Sequence, residues 1–316
     1  MSAPADGPGI REALWGWAIW GVVAGTVFVT YARLPARDFY NVTGTGVWSG
    51  AARLLVLTGW PVSLAALALL GVAADRLLAA ELDRGARRAV IALAIVATVL
   101  CATIAVPGVI KQSDLDAKPV NLLAGAGVLV ALGLTLYAWH RTGAGPPAER
   151  TRGDRIALWA AVVYALAALP WIFANLGFYV GDIPGLHAVF MSKRILPEPG
   201  HPTLRAVHLG NHEGLDGWLL AVTALILRPC LARMRATRLR SILAGYLALL
   251  LCYGVMVSAN DGWNEQLVKR GWTSHGLPSV LSPALNYGTA ILIVASVVVY
   301  LVAFRVRTRV EEPVPA

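Results

Sequence analysis

Charged residues are scarce in this sequence. They make up 14% of its 316 residues, against roughly 25% in an ordinary soluble domain. Hydrophobic residues make up 57%, and they are gathered into runs of about 20 residues, the length that crosses a bilayer as a helix. The composition therefore excludes a soluble globular protein and predicts an integral membrane protein.

Cysteine is also rare. The three cysteines, Cys101, Cys230 and Cys252, are far apart and form no Cys-x-x-Cys pair, which excludes a thiolate metal site and a redox pair. The sequence contains no Walker loop, dinucleotide fingerprint, His-Glu-x-x-His or nucleophile elbow. Function has to be inferred from the placement of single polar residues.

Eight apolar segments predict an all-α polytopic membrane protein, with residues 1–316 forming a single bundle. The helices are expected at about 13–32, 54–73, 89–110, 119–139, 156–180, 209–227, 241–258 and 284–303. Each segment is long enough to cross about 30 Å of hydrocarbon at 1.5 Å per residue.

The basic residues predict the orientation. The net charge of +9 comes from short clusters between apolar segments, which excludes nucleic acid as a partner. Seventeen of the 27 Lys and Arg residues precede the first segment or follow an even-numbered one. The positive-inside rule places these loops in the cytoplasm, so both termini are expected there, in a multi-pass protein of the plasma (cytoplasmic) membrane.

The two halves of the chain share short matches. Pro119-Val-Asn121 resembles Pro283-Ala-Leu-Asn286, and Leu100-Cys101 resembles Leu251-Cys252. These matches suggest a parallel repeat of four helices plus four, an arrangement found in transporters.

Polar residues collect on the predicted extracytoplasmic side. Two long loops are expected there, at about 181–207 and 259–283, and five of the six histidines fall on that side. Long loops are where binding residues concentrate. We therefore expect the functional site at this face.

The most specific local pattern is His208-x3-His212-x3-Asp216. Spacings of four place the three side chains on one helix face, and two imidazoles so spaced can chelate a divalent transition metal ion. Asp216 is about 12 Å along the axis from His208, too far to bind the same ion. The third ligand is expected from Asp182, Asp261 or Glu265.

A second interpretation of the same segment is helix capping. Glu213 and Asp216 suit a first helical turn, where acidic groups interact favourably with the helix dipole. A carboxylate as deep in the membrane as Asp216 is costly unless it faces the bundle interior. Asn175, in the fifth segment, likewise needs a polar partner there.

Two further patterns are less specific. Residues 186–196 predict a short amphipathic helix at the outer interface, beside the expected site. Tyr246, Tyr253 and Asn260 recur every seven residues in the seventh segment, a spacing more typical of helix packing than of cofactor binding.

These residues favour a membrane enzyme, a metal-dependent hydrolase or oxidoreductase that acts on a lipid-like or isoprenoid-like substrate. His208 and His212 would bind the metal ion with Asp182 or Asp261, and Glu213 would act as general base on a metal-bound water. The alternative is a transporter or proton-coupled permease that uses Asp216, Asn175 and His212, and a purely structural subunit is the third possibility. The cytoplasmic halves of the segments look almost purely apolar, which favours the enzyme.

Overall fold

A computed structural model describes residues 10–33, 44–110, 117–167, 169, 172–173, 176, 194–195, 206, 213–281 and 284–305. Within these residues the chain forms helices and no strand. The α-helices are α1 (Ile10–Arg33), α2 (Val47–Leu57), α3 (Ser63–Ala79), α4 (Arg84–Ala102), α5 (Asn121–Thr142), α6 (Arg152–Ala167), α7 (Glu213–Leu227), α8 (Thr237–Asp261) and α9 (Tyr287–Val299).

Additional helical turns lengthen several of these helices. Thr58–Val62 joins α2 to α3, while Thr103–Ala105, Arg228–Arg233, Gly262–Val268 and Tyr300–Phe304 extend α4, α7, α8 and α9. With these turns, seven segments of the described chain are long and apolar enough to cross a membrane. The described part of α6, 16 residues long, corresponds to the beginning of the fifth predicted segment. The all-helical architecture is thus confirmed.

Two predicted boundaries were wrong. The second segment extends from Val47 to Ala79 and so begins before residue 54, which places Arg53 inside a helix and not in a loop. The predicted loop at 259–283 begins as helix, because α8 continues to Asp261 and the following turns reach Val268. Both differences add polar residues to helices near one end of the bundle.

The α2–α3 segment is interrupted in its middle. Trp60 has the extended dihedral angles φ −164° and ψ 130°. Pro61 follows it and has no N–H to donate to the preceding turn. The axis of α2, which carries Arg53, can therefore differ in direction from the axis of α3.

Hydrogen bonds between elements identify two ends of the bundle. At one end, Arg11 N–H donates to the carbonyl of Ala144 at 3.2 Å, which joins the start of α1 to the segment after α5. The Ala148 N–H donates to the Glu12 carboxylate at 2.6 Å. We call this the Glu12 end.

The opposite end joins other helix termini. The backbone N–H of Gly214, at the start of α7, donates to the Asp261 carboxylate at the end of α8, at 3.1 Å. Asp216 of α7 also lies close to Arg53 of α2. We call this the Asp216 end. The start of α7 therefore meets the end of α8 and the early part of α2.

The outer surface is apolar, as expected for a polytopic membrane protein. Large aliphatic side chains are exposed along α4, α6 and α9, including Val99, Val163 and Val302. Exposed tryptophans occur at both ends: Trp15, Trp139 and Trp159 at the Glu12 end, and Trp48 and Trp272 at the Asp216 end. Indole rings favour the two membrane–water interfaces, so this distribution fits a bundle that crosses the bilayer.

Helices α7 and α8 approach each other closely through glycine. A Cβ atom built at Gly217 would lie 2.6 Å from the Gly254 carbonyl oxygen, and one at Gly254 would lie 2.7 Å from the Ala221 nitrogen. In lipid, helices gain little from hydrophobic association, so close backbone packing over small residues supplies much of their attraction. This contact fixes the start of α7 against the last turns of α8, where the polar residues lie.

Candidate functional site

A buried ion pair lies at the Asp216 end. Nη2 of Arg53 is 3.8 Å from Oδ2 of Asp216, and the two residues are 5% and 1% exposed. Arg53 comes from α2 and Asp216 from the first turn of α7. The separation is within the range of an ion pair but beyond that of a hydrogen bond.

The pair has unused hydrogen-bonding capacity. Among the described residues, no group donates to either Asp216 oxygen, and none accepts from Nε or Nη2 of Arg53. Buried polar groups are nearly always hydrogen-bonded, since an unmet donor or acceptor costs about 1–3 kcal/mol. The ion pair therefore has donors and acceptors ready for a bound polar group.

Tyr31 forms another side of this site. The Cζ atom of Arg53 lies 5.9 Å from the centre of the Tyr31 ring, a cation–π distance. Tyr31 is itself buried, near the end of α1. The guanidinium of α2 thus has a carboxylate from α7 and an aromatic face from α1 beside it.

The last turns of α8 support the start of α7. The Asp261 carboxylate accepts from Gly214 N–H, and the Ser258 hydroxyl donates to the Gly214 carbonyl at 2.8 Å. Tyr164 of α6 forms a side-chain hydrogen bond with Ser258. A carboxylate at a helix N-terminus compensates its unpaired N–H groups and its dipole. We call Tyr31, Arg53, Asp216, Ser258 and Asp261 the Asp216 cluster.

The cluster contains two of the residues singled out in the sequence, Asp216 and Asp261. Glu213 is the first residue of α7 and is half-buried beside them. Asp216 faces the bundle interior, as its cost in lipid predicts. The sequence suggested that acidic residues in the first turn of α7 cap this helix. In the structure, Asp261 of α8 also caps it, by accepting from Gly214 N–H.

Four predicted site residues lie outside the described residues: Asn175, Asp182, His208 and His212. The described part of the chain contains no group of three His, Cys, Asp or Glu residues arranged to hold a metal ion. The metal site therefore stays a prediction. His212 directly precedes Glu213, so one of its proposed ligands is adjacent in sequence to the Asp216 cluster.

Three buried carboxylates lie at the Glu12 end, each within two residues of a segment predicted from hydropathy but outside it. They belong to Glu12, Asp75 and Asp154. Glu12 accepts from Ala148 N–H, Asp75 accepts from the backbone N–H groups of two residues after α7, and Asp154 pairs with Arg228. Each carboxylate joins two segments of chain. We therefore interpret these three carboxylates as structural residues that hold the segments together.

Sequence reasoning missed Arg53 and Tyr31. The available signal was a single Arg within the apolar stretch Val47–Leu57, because an isolated charge in a membrane helix requires a partner. A hydropathy window that started at residue 54 left Arg53 in a loop. Tyr31 carries no comparable signal, since a tyrosine at a helix end is common at membrane interfaces.

Comparisons of the chain with protein-family models, with curated proteins and with solved structures found no match.

Proposed function

We propose that the protein is a membrane-embedded enzyme whose site lies at the Asp216 end and acts on a lipid-like or isoprenoid-like substrate. The observation that carries this proposal is the buried Arg53–Asp216 pair. Nε and Nη2 of Arg53 and both carboxylate oxygens of Asp216 have no hydrogen-bond partner among the described residues. Buried ionisable groups in a membrane bundle are costly, so they mark functional sites by default.

The chemistry of the pair limits the head group that would fit. Arg53 can donate to an oxygen of the substrate, and the Asp216 carboxylate can accept a proton from it. A doubly charged anion would be repelled by Asp216. A hydroxyl or a singly protonated phosphate both accepts and donates, so a lipid alcohol or its monophosphate is the preferred class.

The residues then take separate roles. Arg53 would hold the head-group oxygen, while Asp216 would exchange a proton with it as general acid or base. His208 and His212, with Asp182 or Asp261, would bind a divalent metal ion, and Glu213 would remove a proton from a water bound to that ion. Asn175 would position the substrate through its amide.

The orientation and location belong to the same proposal. Both termini would lie in the cytoplasm, with eight spans in the plasma membrane and the Asp216 end facing outward. The distribution of basic residues supports this orientation. A parallel repeat of four helices plus four would place Arg53 and Asp216 early in the second span of each half.

The packing between the two ends supports an enzyme over the transporter alternative. Trp20 donates to the Thr223 hydroxyl at 3.0 Å in the middle of the bundle. Leu69, Leu219 and Leu220 belong to the same hydrophobic cluster as Trp20 and are almost completely buried. The carboxylates of the Glu12 end are engaged by backbone groups. Among the described residues, a layer of buried apolar side chains thus lies between the two polar ends.

The test is turnover by the purified full-length protein in liposomes. Long-chain alcohols, polyprenyl monophosphates and the lipids of the host membrane would be incubated with it, with and without added Zn²⁺ or Mn²⁺, and products identified by mass spectrometry. We expect a product from one class, lost in Arg53→Gln and Asp216→Asn and retained in Arg33→Gln, a control at an exposed arginine of the same end. Accumulation of an unchanged solute inside the liposomes, without any product, would favour the transporter.

A further inference from the structure

An apolar cavity of about 280 Å³ lies between α8, α9 and the end of α4. Its walls include Leu64, Ile104, Tyr246, Tyr253, Val280 and Leu292. This volume approaches the lower limit of small-molecule sites, about 300 Å³. The cavity is large enough to hold part of a hydrocarbon chain.

The polar atoms at the cavity wall are already bonded. The Tyr246 hydroxyl donates to the Leu64 carbonyl at 2.7 Å, and the Tyr253 hydroxyl donates to the Leu281 carbonyl at 3.3 Å. The Thr289 hydroxyl donates to the Ala284 carbonyl at 2.6 Å. A water molecule needs two to four polar partners to stay in a cavity. The cavity therefore favours hydrocarbon over water.

The rim of the cavity faces the region that lipid would occupy. Leu249 of α8 and Ile293 of α9 line the cavity and are also exposed. Neighbouring side chains on α9, such as Val294 and Val297, are exposed aliphatic groups. An occupant would enter sideways from the bilayer, so it must be a lipid-like molecule.

The cavity adjoins the Asp216 cluster through one side chain. Tyr253 lines the cavity and directly precedes Gly254, which packs against Gly217, the residue after Asp216. Tyr253 packs against a buried cluster that includes Trp60, Ile104 and Val280. A molecule with a polar head at Asp216 could extend its apolar chain past Tyr253 into the cavity.

A second crevice provides a contrast within the same protein. It has about 310 Å³, lies between α3, α4 and the start of α8, and is lined by residues such as Gly71, Ala94 and Leu239. It adjoins no buried ionisable residue of the Asp216 cluster. The two crevices therefore have similar volumes and similar apolar linings, but of these two only the first lies next to the Asp216 cluster.

We propose that the first cavity, beside Tyr253, binds the hydrocarbon chain of the substrate while its head group contacts Arg53 and Asp216. This inference rests on the proposed function and specifies its substrate as a single-chain amphiphile that enters from the bilayer. The chain would be held by apolar contact alone, so the cavity selects for chain length and not for head-group chemistry.

The experiment uses the full-length protein in lipid nanodiscs and a long-chain alcohol that carries a photoreactive diazirine in its chain. Cross-linked residues are mapped by mass spectrometry at increasing probe concentration. We expect saturable labelling of cavity residues such as Leu292 and non-saturable labelling of the exposed Val302. Ala105→Phe, which places a ring at the cavity wall, should reduce the saturable labelling at least fivefold. Ala94→Phe, the same change in the second crevice, should leave it unchanged.

The outcomes separate this inference from the proposed function. Asp216→Asn should abolish turnover but keep saturable labelling of the cavity, because the residues that line the cavity do not include the carboxylate. If no lipid is turned over and the labelling persists, the enzyme proposal fails while chain binding stands. Labelling that does not saturate, or that survives Ala105→Phe in a protein that elutes as a single species, would overturn the inference.

Discussion

Arg53 and Asp216 come from different halves of the chain, yet Nη2 of one lies 3.8 Å from Oδ2 of the other in the buried interior. In such a pair each charge is compensated by the other at close range. Removal of one partner leaves an uncompensated buried charge, which typically destabilises a protein by about 3–5 kcal/mol, whereas neutralising both partners costs far less. The pair therefore makes a specific prediction about stability.

We expect Arg53→Gln and Asp216→Asn each to lower the free energy of unfolding by about 3 kcal/mol, and the double variant to be more stable than the sum of the two effects predicts. Denaturant unfolding in detergent micelles would measure the free energy of unfolding of the wild-type protein, the two single variants and the double variant. Arg33→Gln serves as the control, because that side chain is exposed. Additive effects of the two changes would show that the charges do not interact.

The glycine contact between α7 and α8 gives a matched pair of substitutions. Gly254→Ala places a methyl group against the backbone of α7 and should destabilise the fold by about 1–3 kcal/mol, the usual cost of overpacking. Gly245→Ala, in the same helix, has no atom within 4 Å of the new methyl group. It should be neutral or slightly stabilising, since alanine favours helix more than glycine. Equal thermal unfolding temperatures for the two variants would contradict the close approach.

The metal prediction is tested by elemental analysis. If His208 and His212 bind an ion, the purified protein should contain about one equivalent of a divalent transition metal. His208→Ala and His212→Ala should each remove most of it, because two remaining ligands rarely retain such an ion. Asp216→Asn should keep the metal, since Asp216 faces Arg53. A metal-free protein with full activity in His212→Ala would rule out the metal mechanism.

The predicted orientation is tested by reporter fusions. A reporter that is active only outside the cytoplasm should give a signal when fused after about residue 200 or 270. It should give none after about residue 80, 148 or 236, because these positions are in loops expected to be cytoplasmic. A strong signal at 148 would contradict the eight-span orientation and, with it, the placement of the Asp216 end outside.

The helices were predictable because a membrane-spanning helix requires a long apolar run, which is easily recognised in a sequence. Long apolar runs predicted the positions of α1, α3, α4, α5, α8 and α9. The inward orientation of Asp216 followed from the cost of a carboxylate in lipid. These inferences depend only on residues within one segment.

The partner of Asp216 could not be predicted in the same way. Arg53 belongs to a helix half the chain away, and no local pattern relates the two positions. The hydrogen bond from Gly214 to Asp261 depends equally on how α7 and α8 pack. That packing rests on Gly217 and Gly254, whose significance appears only when the two backbones are seen together.

Arg53 also has a consequence for how the protein is made. Asp216 follows it by more than half of the 316-residue chain. At a synthesis rate of about 5–20 residues per second, Arg53 reaches the membrane roughly 8–30 s before its partner exists. During that interval the arginine, about 9 Å from the start of α2, can reach toward the interface by its long side chain. The arginine can become fully buried only after α7 has been inserted. The Arg53–Asp216 ion pair therefore forms only once the two halves of the chain have packed together.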